Sequence, residues 1–349
     1  SSKNSRPEIT NPKFQPVTID YCPNVNPIVM EYVLGNPENV DAQLLDAVIY
    51  AFVEINPDGT LYVPTPRFLR QLVQLKLEKP SLQVIAAIGG WGTDGFSDAA
   101  ATPASRYNFA REAKKLMNQY GLDGIDIDWE YPGSSAAGIK SSPQDRENFT
   151  LLITALRDVL GDDAWLSVAG TGDSAYIRNS AEINKIAPLI TYFNLMSYDF
   201  TAGETGENAR KHQANLYPSD LSLPGYSVDD MVNNLIEAGM PSEKILLGVP
   251  FYGRLGATVT KSYDDLRKDY INKNGYEIAF DKQAQVPYLV KDGKFAMSYD
   301  NALSIFLKGQ YVLRNCLGGI FAWTSTYDQA NILAKYMYQS IYDPDALKS

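Results

Sequence analysis

Histidine and cysteine, on which many enzyme sites depend, are almost absent from this sequence. Its 349 residues include one histidine, His212, and two cysteines, Cys22 and Cys316. A single histidine argues against a Ser-His-Asp triad and against a histidine-based metal site. The two cysteines lie far apart and suggest neither a disulfide framework nor a metal-ligand motif, so we expect them to be small buried residues. Hydrolytic chemistry in this chain would therefore depend on carboxyl groups.

Long apolar runs and an excess of positive charge are also lacking. No run approaches the roughly 20 apolar residues that a membrane helix needs, so we expect no membrane span. The net charge of −10 argues against nucleic acid as a partner, because its phosphates require a basic surface. The polar start of the chain carries no signal-peptide core, so a signal either never existed or was removed.

Short apolar runs alternate with amphipathic stretches along the chain, which indicates repeated strand and helix units. One helical pattern starts with Thr102 and Pro103 and ends at Gly121, and a second ends at Gly161. Several apolar runs are continuous, which is typical of a parallel sheet buried on both faces. We predict one catalytic (β/α)8 TIM barrel over residues 1–349. The eight strand-like runs are QPVTIDYC, LDAVIYAFVEI, LQVIAAIGGW, LDGIDIDWEY, AWLSVAG, ITYFNLMSYDF, KILLGVPFYG and LGGIFAWTS.

The interval between the seventh and eighth runs is longer than a barrel requires. A barrel needs about 250 residues, and the surplus of this chain is concentrated after VPFYG. The segment there is polar, aromatic and rich in turns. We predict a small α+β insertion over residues 256–296, between strand 7 and strand 8 of the barrel.

The fourth run, within GLDGIDIDWEYPG, carries acidic residues at a spacing of two. Residues two apart on a strand share a face, so Asp126, Asp128 and Glu130 should point into the barrel. Ile127 and its neighbours would then face the helices. Barrel enzymes place their chemistry at the carboxyl ends of the strands, where Glu130 would lie. Crowded carboxyl groups cannot all stay ionised, so at least one pKa should rise and provide a general acid.

Two other interpretations of the acidic run remain open from the residues alone. The run could be a solvated strand face, although aspartate is depleted in strands. It could also form a divalent-metal site, since Mg²⁺ and Ca²⁺ prefer oxygen ligands. A metal site would need further carboxylates from other strand ends, and Asp199 is the evident candidate.

The sequence resembles glycoside hydrolase family 18, the chitinase family. DGIDIDWE fits the family signature D-x-x-D-x-D-x-E in full. TIDYCPN resembles the first strand of the family, AAIGGW the third, LMSYDF the sixth, VPFYGR the seventh and GGIFAW the last. The segment after FYGR resembles the α+β insertion of one chitinase subfamily.

The resemblance implies a role for each acid. Glu130 would protonate the leaving glycosidic oxygen and later activate water. In this family the acetamido oxygen of the substrate attacks the anomeric carbon, and Asp128 would orient that group. Asp126 would share a proton with Asp128, and Tyr198 would complete the acetamido pocket. Asp123, three residues before Asp126, would be structural.

The resemblance also implies a substrate-binding surface. Trp323 would be the ring on which the sugar of the cleaved subsite rests. The full set of expected substrate-binding residues is Tyr21, Phe52, Trp91, Met196, Asp199, Tyr252, Arg254 and Trp323.

Ala87 is a departure from the family pattern. The third strand of the family usually carries serine at this position, and its hydroxyl helps to hold the middle aspartate. We therefore expect Asp126 to keep Tyr21 as its remaining partner.

The function implied by the resemblance is retaining hydrolysis of chitin, chito-oligosaccharides or other glycans that contain N-acetylglucosamine. An endo-β-N-acetylglucosaminidase that acts on N-glycan cores is one alternative, although such enzymes usually lack the insertion and the last-strand tryptophan. A lectin-like protein that binds chitin without cutting it is another, although such proteins typically lose the acid at Glu130. We expect no cofactor and no metal, a monomer, and a secreted or cell-surface location.

Overall fold

The computed structural model describes residues 22–345 as alternating strands and helices. The strands are β1 (Ile28–Leu34), β2 (Ala47–Ile55), β3 (Leu61–Tyr62), β4 (Gln83–Gly89), β5 (Gly124–Asp128), β6 (Trp165–Gly170), β7 (Tyr192–Leu195), β8 (Ile245–Pro250), β9 (Tyr252–Leu255), β10 (Val259–Ser262), β11 (Glu277–Asp281), β12 (Val286–Lys291), β13 (Lys294–Ser298) and β14 (Gly319–Trp323). The α-helices are α1 (Pro66–Gln74), α2 (Phe96–Ala100), α3 (Pro103–Tyr120), α4 (Asp145–Leu160), α5 (Ser174–Asn179), α6 (Ile183–Ile186), α7 (Val228–Ala238), α8 (Tyr263–Asp269), α9 (Ala302–Arg314) and α10 (Ile332–Tyr342).

Eight of the described strands close into a parallel barrel. Their order is β1, β2, β4, β5, β6, β7, β8 and β14, and β1 pairs with both β14 and β2. The short strand β3 pairs antiparallel with the end of β2. The predicted (β/α)8 barrel is confirmed, and every barrel strand delivers its carboxyl end to the same mouth.

The side chains of the barrel strands divide between two apolar layers. Ile125 and Ile127 of β5 belong to the outer layer, where the strands pack against the helices. The layer inside the barrel includes Met30, Ala87 and Phe321. This alternation leaves the even-numbered acids of β5 inside the barrel, as the spacing in the sequence predicts.

Local sequence signals set the ends of the longest helix. Thr102 caps α3 by accepting a hydrogen bond from the backbone N–H of Ser105, and Pro103 occupies the first helical position. Gly121 ends the helix in the left-handed region, with φ of 70°. The helix predicted between Thr102 and Gly121 is confirmed.

The predicted insertion between the seventh and eighth barrel strands is confirmed as a five-stranded antiparallel sheet. Its order is β10, β9, β13, β12 and β11, and α8 follows β10. The imidazole of His212, fully buried in the loop after β7, is 2.8 Å from a carboxylate oxygen of Asp281 on β11. This pair connects the inserted sheet to the barrel.

The first barrel strand lies later in the chain than the sequence analysis expects. Residues 15–21 of the run QPVTIDYC, including Tyr21, lie outside the described residues. The position between β14 and β2 is occupied by β1, whose sequence is IVMEYVL. The charged residue Glu31 interrupts this apolar run, so the hydrophobic pattern does not indicate a strand here.

The expectation for the two cysteines is wrong. Cys22 and Cys316 form a disulfide, with Cα atoms 5.6 Å apart, although 294 residues separate them in sequence. Cys22 precedes β1 and Cys316 precedes β14, and these two strands are neighbours in the barrel. The disulfide therefore joins two chain segments that the closed barrel brings together at the amino ends of its strands.

Candidate active site

Three carboxyl groups follow one another up the inner face of β5. Asp126 is 0% exposed and Asp128 is 3% exposed, whereas Glu130 lies two residues beyond the end of the strand and is partly accessible. Their spacing of two puts them on one face, and the barrel turns that face inward. The acids therefore form a column that runs from the interior of the barrel to its mouth.

The top of this column opens into a cavity of about 290 Å³ at the carboxyl ends of the strands. Aromatic rings form much of its wall. The ring of Trp323 stacks on that of Phe52, with centroids 5.4 Å apart, and Trp91 is 62% exposed at the rim. A flat apolar ring suits the C–H face of a pyranose. The lining residues are Tyr32, Phe52, Trp91, Asp128, Glu130, Met196, Tyr198, Asp199 and Trp323.

Hydrogen bonds from three neighbouring strands hold the lowest acid. Tyr32 of β1 donates its hydroxyl to Oδ2 of Asp126 at 2.7 Å. Ser167 of β6 donates to Oδ1 at 2.7 Å, and the side-chain amide of Asn194 on β7 donates to the same oxygen at 3.2 Å. The expected remaining partner, Tyr21, lies outside the described residues, and the described part of the chain supplies three donors to Asp126. The β4 side of Asp126 carries no hydroxyl, but β1, β6 and β7 supply its donors.

The acids have raised pKa values because the barrel removes water from them. Burial raises the pKa of Asp126 to about 6, although the hydrogen bonds from Ser167 and Tyr32 act in the opposite direction. Burial also raises the pKa of Asp128 well above its usual range, and its repulsion by and hydrogen bond to Glu130 raise it further. Glu130 has a raised pKa for the same first reason. Such a column retains a proton at pH values where exposed carboxyl groups have lost theirs.

The charges of Glu130 and Asp126 both raise the pKa of Asp128. The expected sharing of a proton between Asp126 and Asp128 stays a prediction.

Comparison with known proteins gives the family. The model for glycosyl hydrolases family 18 matches residues 28–328. The chain belongs to glycoside hydrolase family 18. It is 34% identical to chitinase A1 of Niallia circulans over 303 residues, which cover 76% of this chain and 43% of that protein. It is 31% identical to putative chitinase 1 of Margaritifera margaritifera over 324 residues, which cover 84% of this chain and 68% of the relative. The chain therefore spans less than half the length of chitinase A1.

Solved structures of family 18 proteins resemble the whole barrel. The chitinase domain of the spore coat protein CotE from Clostridium difficile is 75% identical, with a TM-score of 0.73, and the match covers 96% of this chain and 97% of that one. A family 18 N-acetylglucosaminidase from Paenibacillus barengoltzii is 32% identical, with a TM-score of 0.81, and the match covers 90% of this chain and 100% of that one.

Most of the residues expected from the family resemblance line the cavity. Asp126 lies below it, Tyr21 lies outside the described residues, and two others lie behind the cavity wall. Tyr252 and Arg254 of β9 are absent from the cavity lining, and both donate hydrogen bonds to Asp199. The Nε and Nη2 atoms of Arg254 lie 3.1 and 3.0 Å from Oδ1 of that carboxylate. The inserted sheet therefore contacts the cavity through Asp199.

Asp123 contributes to the barrel frame rather than to the cavity. Its carboxylate accepts hydrogen bonds from Lys76 at 2.6 Å and from the backbone N–H of Val84 at 2.9 Å. These contacts fix the start of β5 against the neighbouring strand.

Sequence reasoning missed three residues of the site: Tyr32, Ser167 and Asn194. All three face the interior of the barrel and reach Asp126. Ser167 and Asn194 are polar residues inside otherwise apolar runs, and that was the available signal. Tyr32 lies on β1, whereas the first strand was expected at QPVTIDYC.

The described part of the chain contains neither a metal-binding cluster nor a membrane-spanning helix. Among residues 22–345, no group of three or more histidine, cysteine, aspartate or glutamate side chains is arranged to hold a metal ion. No helix in the same range is long and apolar enough to cross a membrane.

Proposed function

We propose that this chain is a retaining chitinase whose substrate supplies the nucleophile. One observation carries the proposal: Asp128 and Glu130, two residues apart at one strand end, line the same cavity as Tyr198 and Trp323. Glycosidases with a carboxylate nucleophile place their two carboxyl groups about 5 Å or more apart, on either side of the anomeric carbon. In family 18 the acetamido oxygen of the substrate is the nucleophile instead. The match of the family model to residues 28–328 supports the same role for the acetamido group here.

The reaction follows from the position of each group. As the acetamido oxygen bonds to the anomeric carbon, the glycosidic C–O bond breaks and Glu130 gives its proton to the departing oxygen. The positive charge on the resulting oxazolinium ion develops beside Asp128, whose carboxyl group holds the acetamido N–H. Water then attacks the anomeric carbon, the bond from that carbon to the acetamido oxygen breaks, and the water gives a proton to Glu130. Two inversions at one carbon leave the β configuration.

The cavity walls suit an N-acetylglucosamine unit. The sugar would rest on Trp323, with Met196 and Tyr198 beside its acetamido group. Beyond Glu130, its neighbour Tyr131 lines a second cavity of about 700 Å³ between the loops that follow β5 and β6.

We further propose a monomer that acts in an oxidising environment, secreted or at a cell surface. The disulfide between Cys22 and Cys316 supports this location, because disulfides persist mainly outside the reducing cytosol. The names of the similar proteins, which include chitinases and a spore coat protein, agree with it.

Chitotetraose and fully deacetylated chitosan provide the decisive comparison. Chitotetraose should be cleaved to products that are β-anomers at early times, and an oxazolinium mimic such as a thiazoline should inhibit competitively. Deacetylated chitosan has the same glycosidic geometry but no acetamido group, so it should not be cleaved. Efficient cleavage of the deacetylated chain, or α-anomers as first products, would overturn the proposal. Product masses would also separate internal cleavage from release of single sugars at a chain end.

A further inference from the structure

Asp126 is enclosed by donors that all point at its carboxyl group. It is 0% exposed, and its two oxygens receive hydrogen bonds from Tyr32, Ser167 and Asn194. The register places Ala87 of β4 on one side of Asp126 and Ser167 of β6 on the other. The methyl side chain of Ala87 offers no hydrogen bond, so the donors come from β1, β6 and β7.

Two N–H donors fix the direction of the hydrogen bonds that Ser167 and Tyr32 make to Asp126. The indole N–H of Trp165 donates to the hydroxyl oxygen of Ser167 at 3.0 Å. The side-chain amide of Asn194 donates to the hydroxyl oxygen of Tyr32 at 2.9 Å. Indole and amide N–H groups can only donate, so each hydroxyl accepts one bond and directs its own hydrogen to Asp126.

This arrangement favours an ionised Asp126 over a protonated one. A carboxylate can accept all three hydrogen bonds at once, and hydrogen bonds to the charged form stabilise that form. A proton on Oδ1 would compete with the donors Ser167 and Asn194, whereas Oδ2 accepts from Tyr32 alone. A buried donor without an acceptor is costly.

We propose that Trp165, Ser167 and Asn194 are positioning residues that keep Asp126 ionised and leave the proton of the acid column with Asp128 and Glu130. The inference rests on the proposed function, because it assigns a purpose to that proton. Glu130 needs a proton to act as an acid, and a negative Asp126 below the pair favours its retention. The network would thus set the lower pH limit of catalysis.

The titratable groups that face Asp126 are few. They are Tyr32 from β1 and Asp128 and Glu130 from its own chain segment. The neighbouring strands β4, β6 and β7 contribute alanine, serine and asparagine, which do not titrate in this range. Burial raises the pKa of Tyr32 well above its usual value, so its hydroxyl remains a donor. Burial raises the pKa of Asp126 to about 6, and the hydrogen bonds from Ser167 and Tyr32 oppose that effect by stabilising the charged form.

Ser167→Ala tests the proposal through the pH profile of kcat and kcat/KM on chitotetraose. Loss of one hydrogen bond to a charged group should move the acid limb up by about one pH unit. Trp165→Phe, which keeps an aromatic side chain and removes the indole N–H, should move it by less in the same direction. Ser340→Ala, a buried hydroxyl on α10 far from the column, is the matched control and should leave the profile unchanged.

A compensating pair makes the test stricter. Ala87→Ser combined with Ser167→Ala returns a hydroxyl to Asp126 from the opposite neighbouring strand, and the acid limb should move back toward that of the wild type. If Ser167→Ala lowers kcat equally at all pH values, the serine is only structural and the proposal fails. It also fails if the double variant keeps the full shift of the single one.

A titration that does not depend on turnover separates this inference from the proposed function. In the full chain with ¹³C-labelled aspartate carboxyl groups, the Asp126 signal is assigned by its loss in Asp126→Asn. Its NMR midpoint should move up in Ser167→Ala by the same amount as the acid limb. An unchanged midpoint would overturn the network proposal even in an active enzyme. A wild-type chain that cleaves no chito-oligosaccharide would overturn the proposed function, and the NMR midpoint would still decide the role of Ser167.

Discussion

Asp128, the last residue of the fourth barrel strand, and Glu130, two residues beyond it, line the same cavity. Burial raises the pKa of both groups, and their mutual repulsion makes double ionisation unfavourable. The pair therefore favours retention of one proton at the entrance of the cavity, where the glycosidic oxygen would lie.

Glu130→Gln should lose nearly all turnover while it keeps the fold and substrate binding. The amide has the shape of the carboxyl group but cannot deliver a proton, and general acid catalysis typically contributes about 10²–10⁴-fold. Hydrolysis rates, calorimetric binding of chitotetraose and thermal unfolding would be measured together. Glu147→Gln, an exposed change on α4, is the control. Near-normal hydrolysis by a folded Glu130→Gln protein would remove this residue from the acid role.

Asp128→Asn should lower kcat by roughly 10²–10³-fold, with a much smaller change in ground-state affinity. In the proposed reaction, the charge that Asp128 would stabilise develops on the acetamido group only as the glycosidic bond breaks. Single-turnover rates and dissociation constants for the same oligosaccharide would separate the two effects. Asp162→Asn, exposed in the loop after α4, controls for the substitution itself. Equal losses in binding and in turnover would contradict the assigned role.

The sequence was sufficient to predict the column of acids because strand periodicity is local. A spacing of two along β5 sorts Ile125 and Ile127 from Asp126 and Asp128, whatever the rest of the fold does. The motif and the eight apolar runs then placed Glu130 at the mouth of a barrel. The family match agrees with this interpretation.

Long-range relationships could not be predicted in the same way. The partners of Asp126 come from β1, β6 and β7, and their register depends on barrel closure. Glu31 made the first strand look discontinuous, although the carboxyl group is buried in the outer layer. The disulfide joins residues 294 positions apart, and only the pairing of β1 with β14 brings them together.

Replacing both Cys22 and Cys316 by serine should destabilise the protein without changing kcat. The disulfide constrains nearly the whole chain when it is unfolded, and its removal should cost about 2–5 kcal/mol. The cavity lies at the opposite ends of the strands. Thermal unfolding with and without reductant checks the prediction, because reductant should lower the melting temperature of the wild type and leave the double variant unchanged. Loss of kcat in the folded double variant would contradict it.

Arg254→Lys should reduce kcat/KM by roughly tenfold. Two nitrogens of the Arg254 guanidinium bond one oxygen of Asp199, and lysine cannot reproduce this planar contact. Asp199 lines the cavity, so its displacement should act mainly on KM. Arg314→Lys, exposed at the end of α9, is the matched control. An unchanged KM would show that Asp199 keeps its position without the guanidinium.

Glu31 should make the protein less stable as the pH rises. It is 1% exposed on β1, its carboxylate oxygens have no hydrogen-bond partner among the described residues, and burial with repulsion from Asp328 and Asp41 raises its pKa to about 8. The folded state then binds this proton more tightly than the unfolded state, whose glutamate pKa is about 4.3. Stability from this group is complete below about pH 4 and is lost as the pH approaches 8.

Glu31→Gln should remove this loss, because the amide stays neutral at every pH. Relative to wild type, the variant should gain on the order of 1–4 kcal/mol at pH 8.5 and nearly nothing at pH 4.5. Denaturant unfolding at both pH values measures the difference. Glu38→Gln removes the same charge from an exposed site near the end of β1 and should show no such dependence. If Glu31→Gln changes stability equally at both pH values, Glu31 does not titrate between them in the folded protein.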